Sequence, residues 1–334
     1  MEATGAQLVF FNHIKGLLPP HISFVDEVAQ VLNISNDSAY RRIRGEKPIT
    51  LEEIKKLCIK FKISLDQLLH LNTDSFLFTG QLTNNTNFNF ENWLQACLRV
   101  LQTIKSYHPN HMSYLAKEVP FFYYFLIPEI AAFKCFFFMK SILFYEDWKH
   151  VKFSVKDDYS KYHEIWRTIS NTFATIPGTE IWSIENITST IHQIEFYRVT
   201  GALKSDEDAL CMLEKLTELI NHIESQAEYG VKLHYGQKPS GDNKATYKMY
   251  INELIMGDNM QLVQLGDKQL TYINHTVINF MMTADETFNA YVKKTMEVIT
   301  QKSTPISEVN EKERLMFFNR LRAKVNAAKL LIIV

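Results

Sequence analysis

The chain has 334 residues, 46% hydrophobic and 22% charged; this is the composition of a folded protein of two or three domains and excludes a disordered one. The formal net charge of −1 excludes a chain-wide basic field, so any surface for nucleic acid has to be local. The four cysteines, Cys58, Cys97, Cys135 and Cys211, form no CxxC pair, and they read as small buried hydrophobes of a reducing cytoplasm rather than disulfide partners or zinc ligands.

The segment Met1 to Gln7 lacks the basic stretch and apolar run of a signal peptide, which points to a cytoplasmic protein. Five short helical patterns follow. The first, about 7–18, carries Leu8, Phe11, Ile14 and Leu18, and Pro19-Pro20 stops it. The second, 24–32, has the stripe Phe24, Val25, Val28, Ala29 and Leu32, with Ser23 as its N-cap and Asp26 placed to complete a capping-box-like pair. Asn33 tolerates the left-handed conformation that a tight interhelical turn needs, and Ser35 caps the third helix, 36–44, which Gly45 ends. The fourth and fifth helices open with the capping boxes Thr50…Glu53 and Ser64…Gln67.

The third helix has only Ala39 and Ile43 as a clear inward pair. Around them stand Ser35, Asn36, Ser38, Tyr40, Arg41, Arg42 and Arg44, with Lys47 just beyond. Such side chains suit the major groove of double-stranded DNA, where Arg pairs with guanine, Asn with adenine, and cations neutralise phosphates. Residues 35–62 hold eight Lys or Arg against four acids, a local balance of 8 − 4 = +4. The helical spacing turns Arg42 about 100° from Arg41, toward phosphate or a neighbouring helix.

The run from Val28 to Lys47, and the segment from Thr50 to Leu69, resemble the Xre/Cro and lambda-repressor-like helix-turn-helix family. The resemblance rests on Ala29, the short turn, and the ending Arg44-Gly45-Glu46-Lys47. It implies a five-helix DNA-binding domain. Two positions depart from the family pattern: Asn33 stands where Gly is frequent, and Arg42 where an apolar residue is usual.

The domain expected from these signals spans 1–75, followed by a polar linker at 76–90 and a C-terminal dimerisation or sensing domain at 91–334, with a sub-boundary near 236–244. Helical patterns are read at 91–107, 159–174, 180–200, 207–226, 285–301 and 311–330. Alternating or apolar runs at 245–254, 261–265, 269–273 and 276–282, with turns at Gly257-Asp258 and Gly266-Asp267, predict an antiparallel meander. The fold class expected is therefore mainly α: a five-helix domain, then a larger, mostly helical α+β domain with one small antiparallel sheet. Residues 112–148 resemble, more coarsely, the C-terminal portion of a group of poorly characterised bacterial Xre-type regulators, which brings no ligand.

The stretch 119–148 is very apolar, but Glu129, Lys134, Lys140, Pro120 and Pro128 interrupt it, so buried helices are expected rather than a membrane span. Phe121, Phe122, Phe125, Phe133 and Phe137 are candidates for an apolar effector pocket. No phosphate-cradling loop, HExxH or GxSxG occurs. His108 and His111 flank Pro109 in a turn with no clustered Cys or acid. No catalytic residue, metal or cofactor is therefore assigned, and an enzyme is not expected. Two functional readings lead, ahead of an enzyme of unknown type fused to a DNA-binding domain, which has no motif behind it. One is a DNA-binding transcriptional regulator acting as a homodimer, with the effector unidentified. The other is an antitoxin-like or regulator-partner module that uses its helices for protein contacts.

Overall fold

The computed structural model describes residues 5–18, 22–69, 75–80, 88–238, 245–254 and 257–333, without the side chains of Asp66 and Gln67. The chain divides into two compact units, Met1–Leu77 and Phe78–Val334.

The first unit is five helices: α1 Ala6–Leu17, α2 Phe24–Leu32, α3 Asn36–Ile43, α4 Leu51–Phe61 and α5 Leu65–Leu69. Phe10, Phe11 and Ile14 of α1, Val28, Ala29 and Leu32 of α2, Ala39 of α3 and Leu57 of α4 form one core. Asn33 takes the left-handed conformation (φ 57°). The amides of Asn33 and Ile34 then reach back to the carbonyls of Gln30 and Ala29, at 3.3 and 3.0 Å, a Schellman closure of α2. Gly45 (φ 76°) closes α3 the same way, with Gly45 and Glu46 donating to Arg42 and Arg41. The Thr50–Glu53 capping box is formed at α4. The box expected at Ser64 involves Gln67, whose side chain lies outside the described residues.

The second unit is built on one mixed sheet. Its described strands are β1 Thr79–Gly80, β2 Asn110–Leu115, β3 Gly178–Trp182, β4 Tyr247–Ile251, β5 Met260–Leu265, β6 Lys268–Asn274, β7 Phe280–Thr283 and β8 Thr304–Pro305, in the order β1-β7-β6-β5-β2-β3-β4-β8. β2, β3 and β4 are parallel neighbours, and every other pairing is antiparallel. This overturns the expected fold class of the C-terminal region. The sheet is eight-stranded among the described residues and mixed, not small and antiparallel. The meander exists only as β5–β6–β7; β4 is separated from it by two strands, β2 and β3. Residues 180–182, expected in a helix, are strand.

One sheet face is covered by α6 Phe90–Ser106, α7 Pro128–Phe137, α8 Ser160–Phe173, α9 Thr188–Val199, α10 Asp206–Tyr229 and α12 Glu311–Ile333, which form the large core. The alternate residues Leu115, Ile181 and Leu262 face the other way and pack on Val292, Met296 and Ile299 of α11 Glu286–Gln301. No helix among the described residues is long and apolar enough to cross a membrane. The aromatic segment instead forms a 3-10 turn at 121–125, α7 and a π-turn at 138–142, all within the large core.

At the centre of that core lies a saturated polar cluster. Glu180 of β3 accepts from Tyr123 (2.9 Å) and Lys232 (2.6 Å) on one oxygen, and from Trp182 and Tyr247 (both 2.9 Å) on the other. The Lys232 ammonium also donates to the Tyr123 hydroxyl at 2.6 Å and lies 4.2–4.7 Å from the ring centroids of Phe173, Tyr247 and Tyr123. The Lys232 and Glu180 side chains are 1% and 3% exposed. Burial pulls the ammonium below its ordinary range, while the Glu180 carboxylate acts against that. Lys134 of α7 is equally buried but has no carboxylate partner among the described residues. It donates to Thr190 (2.9 Å) and Gln193 (2.7 Å) and lies over the Tyr124 ring. Burial brings its pKa down to about 7, against a weaker upward pull from the Glu118 charge.

Two outcomes are expected. All four tryptophans lie in the second unit, so their fluorescence during urea unfolding reports it selectively. Lys232→Met strands a buried carboxylate and should cost about 3–5 kcal/mol; a loss below about 1 kcal/mol would show that the cluster is not holding the core. Lys134 gives a pH dependence. Its folded-state pKa of about 7 lies below the ordinary 10.5, so between those values the unfolded chain binds the extra proton. Stability should therefore rise from pH 7 toward 10, by up to about 1.4 kcal/mol per pH unit. Lys134→Met should flatten that rise; an identical slope in the variant would assign it elsewhere.

Candidate nucleic-acid interface

The α2–turn–α3 pair is fixed from three sides. Ser35 caps α3, accepting from the Ser38 amide at 3.3 Å and donating to the Ser38 hydroxyl at 3.1 Å. Asn36 donates its amide to Asp26 of α2 at 2.7 Å. The Asp26 carboxylate thus ties α2 to α3, while its backbone amide donates to the Ser23 hydroxyl at 3.5 Å, one half of the expected capping-box-like pair. Arg42 is buried. Its guanidinium makes a paired contact with Glu53 at 3.0 and 2.7 Å and also donates to the Ser38 carbonyl at 3.1 Å. Glu53 accepts the Thr50 amide at 3.0 Å as well, so one carboxylate caps α4 and anchors α3. Burial raises the Glu53 pKa, but the Arg42 and Thr50 hydrogen bonds and the Arg42 and Lys47 charges together leave it below its ordinary value.

The sequence-derived set is therefore divided. Arg42 is withdrawn from solvent to a helix–helix contact. Ser38 is half-buried, and its hydroxyl is held within the cap. Ser35, Asn36, Tyr40, Arg41, Arg44 and Lys47 remain exposed. Arg44 lies over the Tyr40 ring at 4.4 Å. Arg41 and Arg44 approach Glu46 at only 4.0 and 3.8 Å, with both side chains more than half exposed. Ion pairs of that kind contribute little and release readily to a phosphate.

Gln7 is a residue that sequence reasoning passed over. From α1 its amide nitrogen donates to the carbonyls of Arg42 (2.7 Å) and Lys47 (2.8 Å), and its oxygen accepts the Ile49 amide at 3.1 Å. It fixes the loop on which Lys47 stands. The available signal was its place at i, i+4 and i+7 with Phe11 and Ile14, a polar group on an apolar stripe.

The five phenylalanines proposed for a pocket do not converge on one cavity. Phe122 lines one cavity and Phe125 another. Phe121 packs on Trp93 and Phe125, Phe133 on Phe153 and Tyr197, and Phe137 on Phe138 and Tyr197. Among the described residues no group of three or more His, Cys, Asp or Glu is placed to hold a metal.

Comparison with known proteins gives one match. A family model described as the BetR domain matches residues 20–87. That domain is helix-turn-helix-like and associated with transcription regulators, and it suggests a DNA-binding regulatory role. No curated protein and no solved structure matches the chain.

The Arg42–Glu53 pair can be tested without DNA. Glu53→Gln keeps a capping-box residue but removes the charge. It should open α3 and α4 by ~3 kcal/mol, the low end for a broken buried pair, which hydrogen exchange of peptides from 36–61 would read as faster exchange. Arg42→Leu combined with Glu53→Gln should recover most of the loss. A depressed carboxylate stabilises above its ordinary value of 4.5. The wild-type protection should therefore hold at pH 6 and fall as pH drops below that value through the folded-state pKa. Equal protection in wild type and the single variant would mean that the pair does not hold the helices.

Proposed function

We infer that the protein is a sequence-specific transcription regulator of the Xre/Cro type that reads the major groove of double-stranded DNA through α3. The observation that carries this reading is the division within α3: Arg42 is used to seat the helix, while Asn36, Tyr40, Arg41 and Arg44 stand uncovered. A helix this polar gains little from burial, and its exposed groups are those that pair with base edges and phosphates. The BetR-domain match over the same residues supports the reading.

One short recognition helix reaches few bases, so the proposal includes a homodimer on paired half-sites, joined through the second unit, in the cytoplasm. Arg41 and Arg44 are three residues apart and share a face. Asn36 and Tyr40 form the adjacent strip. Lys47, on the loop held by Gln7, faces the phosphate backbone in this arrangement.

Fluorescence anisotropy on a duplex selected from a random pool, and on a scrambled duplex, tests the assignment at several salt concentrations. Arg41→Ala should weaken the selected duplex by about 1–3 kcal/mol and the scrambled one much less. Lys47→Ala should weaken both alike and lower the salt slope by about one. Saturation should come at two chains per duplex. If wild type binds neither duplex at low salt, where non-specific attraction is strongest, DNA binding is excluded and a role in protein contacts takes its place.

A further inference from the structure

A cavity of about 420 Å³ under α11 is lined by His111, Lys248, Lys293 and Glu297, and a cleft of about 600 Å³ holds His163, Arg167 and His234. A third cavity, of about 440 Å³, lies between α6 and the sheet, and no side chain lining it is charged at neutral pH. Its floor is a cross-strand row, Gln261–Tyr272–Met282–Thr79, set by the β5–β6–β7–β1 register. Its roof is one stripe of α6: Trp93, Ala96, Cys97, Val100 and Ile104. The space exists because Ala96 and Cys97 are too small to reach the floor.

Three features specify what would fill it. Trp93, Ala96, Val100 and Tyr272 are apolar surfaces turned toward the sheet–helix interface, yet all are only half-buried; an apolar occupant would remove that surface from water. A charged occupant would meet no counter-charge there and would lose hydration without compensation. The volume falls within the range of small-molecule sites, roughly 300–1,000 Å³. Two turns of an α-helix, about 10 Å across and about 11 Å long, would not fit.

Polar contact is sparse and specific. Gln261 stands opposite Tyr114 in the β2–β5 register, and its side chain interacts with that hydroxyl. The Tyr272 hydroxyl has no hydrogen-bond partner among the described residues, and burial keeps this phenol protonated by raising its pKa. Trp93 lies at one end, with its indole fixed to the Ile278 carbonyl at 3.0 Å.

We propose that this cavity binds a neutral, largely apolar small molecule that offers one hydrogen-bond acceptor to the Tyr272 hydroxyl. The site goes beyond DNA recognition and is independent of it, because occupancy is measured on the full chain with no DNA present.

The probe is acedan, a neutral dimethylaminonaphthyl ketone whose emission shifts to the blue in apolar surroundings. Its counterpart, dimethylaminonaphthoate, has the same rings with a carboxylate in place of the ketone. Acedan should bind saturably, and the carboxylate at least about tenfold more weakly. Ala96→Phe fills the cavity and should weaken acedan at least about tenfold, with thermal unfolding unchanged or raised. Tyr272→Phe preserves volume and packing and should weaken acedan about fivefold, the usual weight of one hydrogen bond; it carries the test if Ala96→Phe fails to fold. Absence of saturable acedan binding would overturn the proposal. So would equal affinity for the carboxylate, or binding unchanged in both variants.

Discussion

The second unit is organised around the burial of one carboxylate. Glu180 lies on the middle strand of the parallel trio, and its two oxygens receive four donors from four segments: the 3-10 turn after β2, β3 itself, β4, and the chain just after α10. A buried carboxylate with fewer partners would be strongly unfavourable, so the segments that supply them cannot shift independently. Gly178, two residues earlier on the same face, belongs to the same constraint. A Cβ there would come within 3.2 Å of the Lys232 side chain, tighter than ordinary contact. Buried ion pairs add little stability over apolar replacements. What this one imposes is geometry: it joins the two crossovers of a sheet whose parallel strands are 60 or more residues apart in sequence.

Three of the buried cations among the described residues illustrate three solutions to one problem. Lys232 has a full counter-charge and an aromatic cage. Arg42 has Glu53 and a backbone carbonyl. Lys134 has only a hydroxyl, an amide oxygen and a ring face, and its pKa drops to about 7 as a result. Burial pulls both ammonium groups down, and at Lys232 the adjoining carboxylate acts against it. In α3 the same logic separates neighbours. Arg41 and Arg42 are adjacent in sequence, but 100° of helical rotation gives one to solvent and the other to Glu53. A basic helix is thereby held in place by one of its own basic residues.

The first unit was legible because its signals are local. Asn33, Gly45, Thr50 and Glu53 specify turns and caps within a few residues, and the structure realises each of them. The departure at Arg42, an arginine at a usually apolar position, marked a real feature: a charged residue that is nonetheless buried. The second unit hid its central strands. β3 reads Gly-Thr-Glu-Ile-Trp and is covered on both faces, so it lacks the alternation of a half-exposed strand, and its Glu180 looks like a surface residue. β2 carries His111 and Ser113 toward a polar groove and was equally silent. β1 and β8 are two residues each. The meander, with its Gly266 turn, and β4 announced themselves as strands, but not the pairing of β4 with β3. The cavity under α6 draws on residues from 79 to 282, and no local pattern encodes such a set.

That long-range origin also makes the cavity a well-determined shape. Its floor follows from register, and a slip of one residue in β6 would send Tyr272 to the opposite face. Two features oppose such a slip. Gly266, at φ 61°, allows the tight connection that pairs Leu265 with Lys268. Across the sheet, the fully buried Thr271 hydroxyl donates to Asn289 of α11 at 2.7 Å, and Asn289 donates to the Gln269 carbonyl at 2.8 Å. Losing either bond would leave buried polar groups without partners. α11 therefore fixes from one face the strand whose Tyr272 lies on the other. A site built on strands locked in this way is formed before any ligand arrives, and binding in it does not have to order its walls.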